Sequence, residues 1–441
     1  MDDWLRASAG DLGRGIAAGD IDPEALCDTY LSAIAVGDPD RQVYARTTEV
    51  RARAEAEAAA RRARSGTRKG VLDGVPISWK DLFDTAGIAT EAGSALLKGR
   101  TPDLDAPVVA RASQGGSVCL GKTHMSELAF AGLGLNPVTA TPPGRHDPKA
   151  VPGGSSSGAA ASVAFGLAPL AIGSDTGGSV RTPAAWNDLV GLKTTHGRLP
   201  NDGVVPLCET FDTIGPLARN VEDCALALAL LEGTHPADLA DATLDGARLL
   251  TLADYSDSSR DGPRKAFEAA EARLRDAGAS IERKALACVD EAMALSPLLY
   301  APEAYAIWGE TIEADPEAMF APVRERFRAG RQASAVDVLR AWRKLRALRA
   351  DYARETAGYD AVIVPSVMST PPDRDRLLSD TEFYVEENLA CLRNTRIGNL
   401  MGLCALTLPT GVPSCGIMLM AAPMAEERLL RLGSAAERAL A

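Results

Sequence analysis

Two rhythms of apolar and polar positions divide the chain. Across residues 1–65 the apolar positions recur at helical spacing. Leu26, Tyr30 and Ile34 stand at i, i+4 and i+8 behind Asp22-Pro23-Glu24, which offers an N-cap, a proline at the first helical position and a first-turn acid. Residues 47–64, rich in Ala, Arg and Glu, predict a second helix whose charges form a wet surface. From Val71 onward short apolar runs take over. Val75–Trp79 ends at Lys80-Asp81 like a buried strand leaving its C-terminal edge, and 117–122, 168–173, 361–365 and 405–409 read as further strands. Between them 106–114 and 159–165 read as helices. Strands alternating with helices predict an α/β sheet covered on both faces.

Residues 245–345 differ in texture. Long helical patterns over 264–277 and 322–352 leave little between them, as expected of a helical insertion or a lid over a substrate pocket. No repeat, low-complexity tract or linker interrupts the chain, so a single domain over 1–441 is expected.

Composition narrows the class. The 441 residues are 46% hydrophobic and 24% charged, an ordinary globular balance, and the net charge of −12 argues against a nucleic-acid surface. No apolar stretch approaches the ~20 residues of a membrane span. The acidic start Met1-Asp2-Asp3-Trp4 lacks the apolar region of a signal peptide. Eight cysteines lie scattered without a C-x-x-C pair, and only four histidines are present. That pattern predicts buried thiols in a reducing compartment, no metal and no cofactor, and a cytoplasmic protein.

The chemistry concentrates in three pieces: Lys80, the run Gly153-Gly154-Ser155-Ser156-Ser157-Gly158, and the run Gly173-Ser174-Asp175-Thr176-Gly177-Gly178-Ser179. Two serines and a lysine supply a nucleophile, a proton bridge and a base, provided the lysine is buried and neutral. Ser179 follows two glycines whose backbone freedom lets N–H groups converge on one point, as an oxyanion hole requires. Ser155 then bridges Lys80 and Ser179. Residues 154–158 also satisfy G-x-S-x-G with Ser156 as nucleophile, but that elbow needs a preceding strand, and 147–152 is not one. No Gly-Lys-Ser/Thr follows the glycines, which speaks against a phosphate loop. Taken alone, a Gly-Ser cluster is more often a flexible loop.

Together with Pro183-Ala184-Ala185 and Gly191-Leu192-Lys193, these runs resemble the amidase signature family, closely over 70–220 and more loosely outside it. The resemblance implies a large mixed β-sheet and a serine amidohydrolase. It implies Ser179 as nucleophile, Ser155 as a cis-peptide bridging serine and Lys80 as base, with Thr176, Gly177 and Gly178 in the oxyanion loop. Met125 and Phe130 line the substrate pocket by the same analogy, though core packing explains an apolar pair equally well. Gly398–Leu403 resembles the family's C-terminal sheet segment, with Cys404 where a proline commonly follows.

Arg181 has two readings: a partner for a substrate carboxylate, or a strut holding the loop through carbonyls or Asp175. Tyr300, Trp308 and Arg396 are candidates to reach the pocket from the variable half, while His124 and His196 receive no role. The expected partner is a small-molecule amide, and the resemblance adds a homodimer. Two other functions stay open: the glutaminase subunit of a tRNA-dependent amidotransferase, and a non-catalytic binding protein on the same scaffold.

Overall fold

A computed structural model describes residues 2–441. Eleven strands form one sheet: β1 (Tyr44–Thr47), β2 (Pro76–Lys80), β3 (Val118–Thr123), β4 (Leu170–Asp175), β5 (Val190–Lys193), β6 (Thr213–Ala218), β7 (Arg248–Leu252), β8 (Ser280–Lys284), β9 (Ala361–Pro365), β10 (Cys404–Pro409) and β11 (Gly416–Ala421). Their spatial order is β1-β3-β2-β4-β6-β5-β10-β11-β9-β7-β8. The sheet is mixed. β2 runs parallel to both β3 and β4, and β7 parallel to β8 and β9. The six remaining pairings are antiparallel.

Every residue of β2, β3, β4, β5, β6, β9 and β11 is buried. Successive side chains point to opposite faces, so burial of all of them means that both faces are covered. Helix Ser157–Ala164 packs on β2, β3 and β4, Val221–Glu232 on β5 and β6, and Glu426–Leu440 on β10 and β11. The edge strand β8 is mostly exposed and ends in Glu282-Arg283-Lys284, whose charges discourage pairing with another chain.

Helix Pro23–Gly37 starts as its sequence predicts: the Asp22 carboxylate accepts from the N–H groups of Glu24 and Ala25, at 2.9 and 3.1 Å. Four expectations need correction. Residues 1–65 also contain β1, too short and too polar to register as a strand. The charges of helix Glu49–Ser65 are not all wet, because Arg62 pairs with the buried Asp73 at 2.6 Å and Arg51 with Asp105 at 2.8 Å. Residues 245–345 contribute β7 and β8 besides their helices; β7 is only five residues and its apolar run also fits a helix. The helix expected over 322–352 is broken into Ala321–Arg328 and Ala335–Thr356.

Gly330 lies at this break in a tight backbone contact. A Cβ on Gly330 would lie 2.1 Å from the Ala301 carbonyl oxygen, so the two backbones touch where only glycine fits. Ser334 then caps the second helix by accepting from Asp337 N–H at 3.1 Å. Gly330→Ala is expected to destabilise the protein by roughly 1–3 kcal/mol through overpacking, read as a lower midpoint in denaturant unfolding. An unchanged midpoint would show that this contact leaves room for a methyl group.

Candidate active site

Parallel neighbours end at the same edge of a sheet, and ligands of α/β folds gather beyond those carboxyl ends. β2 ends at Lys80 and β4 at Asp175, so the topology alone delivers the lysine and the Ser174–Ser179 turn to one place. Ser155 arrives from the loop before helix Ser157–Ala164, across a cis peptide bond with Gly154. That loop is pinned by Ser126 N–H donating to the Ser155 carbonyl at 3.1 Å and Gly154 N–H to the Gly132 carbonyl at 2.7 Å.

Lys80 is fully buried. Its Nζ donates to Ser155 Oγ at 2.7 Å and to Ser174 Oγ at 2.8 Å. Burial lowers the ammonium from the usual 10.5 to about 7, against the opposing pull of Asp212 and Asp175. The Ser156 N–H donates to the Ser179 carbonyl at 3.2 Å, so the two serine-bearing loops meet. Ser179 borders the adjoining cavity. Ser156 is fully buried and donates to the Ser174 carbonyl at 3.2 Å, and no strand precedes it, so the G-x-S-x-G elbow is not formed.

The turn between Asp175 and Ser179 is held by the Asp175 carboxylate. It accepts from the N–H groups of Gly178 at 2.9 Å and Val180 at 3.1 Å, and pairs with Arg181 at 2.8 Å. Burial by itself raises Asp175, but the Arg181 guanidinium outweighs it, with Lys193 and Asn399 adding to the effect, and holds the carboxyl well below the usual carboxylate range. Gly178 has φ +140°, and a Cβ there would meet Thr395 Oγ1 at 2.0 Å. Its N–H is committed to Asp175. The N–H groups of Thr176, Gly177 and Ser179 have no acceptor among the described residues, so the free donors differ from the expected set by exchanging Gly178 for Ser179. The Thr176 hydroxyl donates to the buried Asp212 at 2.5 Å.

A cavity of about 340 Å³ opens on Ser179, Thr176 and Gly177. Phe130 lines it; Met125 is fully buried in the core instead. Arg181 does not face it, because its guanidinium is spent on Asp175, the Thr395 carbonyl and Asn399 Oδ1. Tyr300 and Arg396 do line it, whereas Trp308 turns away to donate to the Pro206 carbonyl at 2.8 Å. Three residues of the candidate site escape sequence reasoning: Arg326, which also lines the cavity, and the hydrogen-bond partners Ser174 and Asp212. For Ser174 a signal existed, its place near the end of a strand within the Gly173–Ser179 run; Arg326 and Asp212 carried none. A larger cavity of about 480 Å³, bordered by Lys193, Arg349 and Arg428, does not include Ser179. His124 and His196 bond backbone carbonyls, of Arg41 and Glu209. Among the described residues no cluster suits a metal ion, all eight cysteines are buried without a disulfide, and no helix is long and apolar enough to cross a membrane.

The Amidase family model matches residues 25–430. The chain belongs to the amidase signature family. It is 38% identical to the 2-amino-5-chloromuconic acid deaminase of Comamonas testosteroni, over 92% of this chain and 90% of that one. It is 31% identical to a subunit of the glutamyl-tRNA(Gln) amidotransferase of Acidothermus cellulolyticus, over 100% and 95% of the two chains. A crystal structure of an amidase superimposes with a TM-score of 0.89 at 28% identity, over 99% of this chain and 100% of that one. The protein is accordingly a hydrolase of amide C–N bonds.

In this amidase, Arg181 and Asp175 form an ion pair with neither side chain exposed. Removing one partner of such a pair leaves an uncompensated buried charge. Arg181→Met is expected to lose roughly 3–5 kcal/mol of stability, measured by denaturant unfolding. A loss below about 1 kcal/mol would show that the turn is held by other means.

Proposed function

We propose that the protein hydrolyses a small-molecule carboxylic amide through an acyl-enzyme on Ser179, with Ser155 as proton bridge and Lys80 as base. The observation that carries this reading is the hydrogen bond from fully buried Lys80 to Ser155 beside the cavity-facing Ser179. Ser179 Oγ attacks the amide carbon, its proton passing through the Ser155 hydroxyl to neutral Lys80. The oxyanion rests on the free N–H groups of Thr176, Gly177 and Ser179, where a preorganised donor is worth several kcal/mol. Lys80 returns the proton through Ser155 to the departing nitrogen as the C–N bond breaks. Water then attacks the ester, its proton taking the same route, and the acid leaves with Ser179 restored. The Ser155–Ser179 link closes when substrate is bound, since such bonds are often long in the free enzyme. The deaminase relative, whose name places its reaction on a small acid, fits release of ammonia.

A second reading, the glutaminase subunit of a tRNA-dependent amidotransferase, is favoured by the similarity to the Acidothermus cellulolyticus protein over the whole chain. The cavity opposes it. No Asp or Glu lines the space over Ser179, so although the two arginines suit the α-carboxylate of glutamine, its α-ammonium would find no carboxylate on the protein. Glutaminase activity confined to a complex with partner subunits would reverse this preference.

Ser179→Ala and Lys80→Ala are each expected to lower kcat by several orders of magnitude, with Ser155→Ala lower by less, in an assay of ammonia and amine release over a panel of amides. Near-normal turnover in Ser179→Ala would overturn the mechanism. The working form of Lys80 is the neutral one, which is scarce below its pKa and dominant above it. kcat/KM is therefore expected to rise with pH through a midpoint near 7 and then level off. A profile flat between acid and alkaline pH would remove Lys80 as base.

A further inference from the structure

The cavity that Ser179 borders is also lined by two arginines, Arg326 and Arg396, without a carboxylate partner. Arg396 makes no side-chain hydrogen bond, ion pair or ring contact among the described residues, although it is only partly exposed. Arg326 donates to the Phe130 carbonyl at 2.9 Å and lies over the Phe130 ring at 4.3 Å, and it too has no carboxylate partner. Burial lowers both guanidinium groups, Arg326 to about 10, and Arg396 adds its repulsion to the shift of Arg326. Elsewhere in this chain arginines reach carboxylates readily, as Arg181, Arg198 and Arg260 do. Two neighbouring guanidiniums left without counter-ions in a half-buried wall are destabilising for the free protein, a condition typical of binding sites.

Two neutral groups point to the same ligand. Tyr300 and Ser296 both line this cavity, both residues are 8% exposed, and their buried hydroxyl oxygens have no hydrogen-bond partner. Buried hydroxyls are normally satisfied, so two orphans in one wall mark missing acceptors. The Tyr300 ring is fixed by stacking on Phe211 at 4.4 Å, which in turn stacks on Trp342 at 5.1 Å, so the hydroxyl is held in place rather than free to turn toward water. The unmet donors are two guanidiniums and two hydroxyls, with no acid among the lining residues. A carboxylate is the group that accepts from all of them.

The geometry points to a substrate that is a carboxylate-bearing amide, with its carboxylate held by Arg326, Arg396, Tyr300 and Ser296 and its amide carbon at Ser179. This assignment rests on the amide-hydrolase reading of the same cavity. The carboxylate sits on either side of the scissile bond: at the far end of the acyl chain, as in the monoamide of a dicarboxylic acid, or on the amine, as in an N-acyl amino acid.

The test compares kcat/KM for succinamate, glutaramate and adipamate with the neutral amides of the same chain length, and for N-acetyl amino acids with their methyl esters. A preference for the charged member in one series supports the assignment and names the side of the bond. Arg396→Gln removes the charge without breaking any hydrogen bond, and is expected to cut that preference roughly ten- to a hundredfold; Arg326→Gln is expected to do the same. Neutral amides preferred in both series, or a preference that survives both substitutions, overturns it. A second arm removes catalysis: calorimetric titration of Ser179→Ala with glutarate, with and without Arg396→Gln. Glutarate binding to Ser179→Ala that weakens at least about tenfold with Arg396→Gln, while the wild type turns over none of the amides, keeps the carboxylate site and rejects the hydrolytic reading. Amide turnover without charge preference and without glutarate binding rejects the carboxylate site alone.

Discussion

The Asp175–Arg181 pair is the interaction on which the rest of the site depends. Asp175 is the last residue of β4, and its two carboxylate oxygens collect the N–H groups of Gly178 and Val180 together with the Arg181 guanidinium. The chain is thereby forced to turn back on itself within a few residues, and the donors left over are those of Thr176, Gly177 and Ser179. Arg181 extends the brace by donating to the Thr395 carbonyl and Asn399 Oδ1. One buried ion pair thus joins the central strand, the turn and the C-terminal segment. Both partners are wholly removed from water, so each is tolerable only while the other is in place.

A second layer of electrostatics follows from depth. Lys80 stands at the end of β2 with two hydroxyls against its Nζ and carboxylates only at longer range, so desolvation prevails over attraction and the amine form is accessible near neutrality. Asp212, buried beside it, is pushed up to about 6 by desolvation despite hydrogen bonds from Thr176 and the N–H groups of Leu207 and Cys208. Lys122, on the neighbouring strand, is equally buried, but it donates to the Phe83 carbonyl and Thr90 and lies 3.5 Å from Asp81. Two lysines on adjacent parallel strands therefore serve different ends: one locks a loop to a carbonyl and an acid, the other touches only groups that can pass on a proton.

Above this floor of strand ends and glycine turns, the wall is built from distant parts of the chain. Tyr300 comes from the junction of two helices, Arg326 from the helix that stops just before Gly330, and Arg396 from the helix before β10. The Gly330 contact with Ala301 is what lets the Arg326 helix fold back against the helix that follows Tyr300. In the proposed reading, the hydroxyls and N–H groups at the strand ends handle the bond, and the lining from these helices selects what carries it.

The sequence alone determined the α/β class, the strands β2, β3, β4, β9 and β10, and the gathering of chemistry at Lys80, Ser155 and Ser179, because apolar runs and glycine-serine turns are local signals. It left β1, β5, β6, β7, β8 and β11 unread: β1 and β8 are partly or mostly exposed edge strands, and β5 and β7 are runs of four and five residues that carry little periodicity. The family resemblance offered Met125 for the pocket, with core packing as the equal alternative, and the variable half offered Trp308; packing placed Met125 in the core and turned Trp308 to the Pro206 carbonyl. Arg181 stayed ambiguous until Asp175 and Asn399 were brought to it, 6 and 218 residues away in the chain. Arg326 looked like any surface arginine of a charged helix. Only the tertiary structure set it beside Arg396, 70 positions further on, with no acid between them. Charge is written in the sequence, but whether a charge is answered depends on which groups the fold brings within a few ångströms, and that is decided by packing.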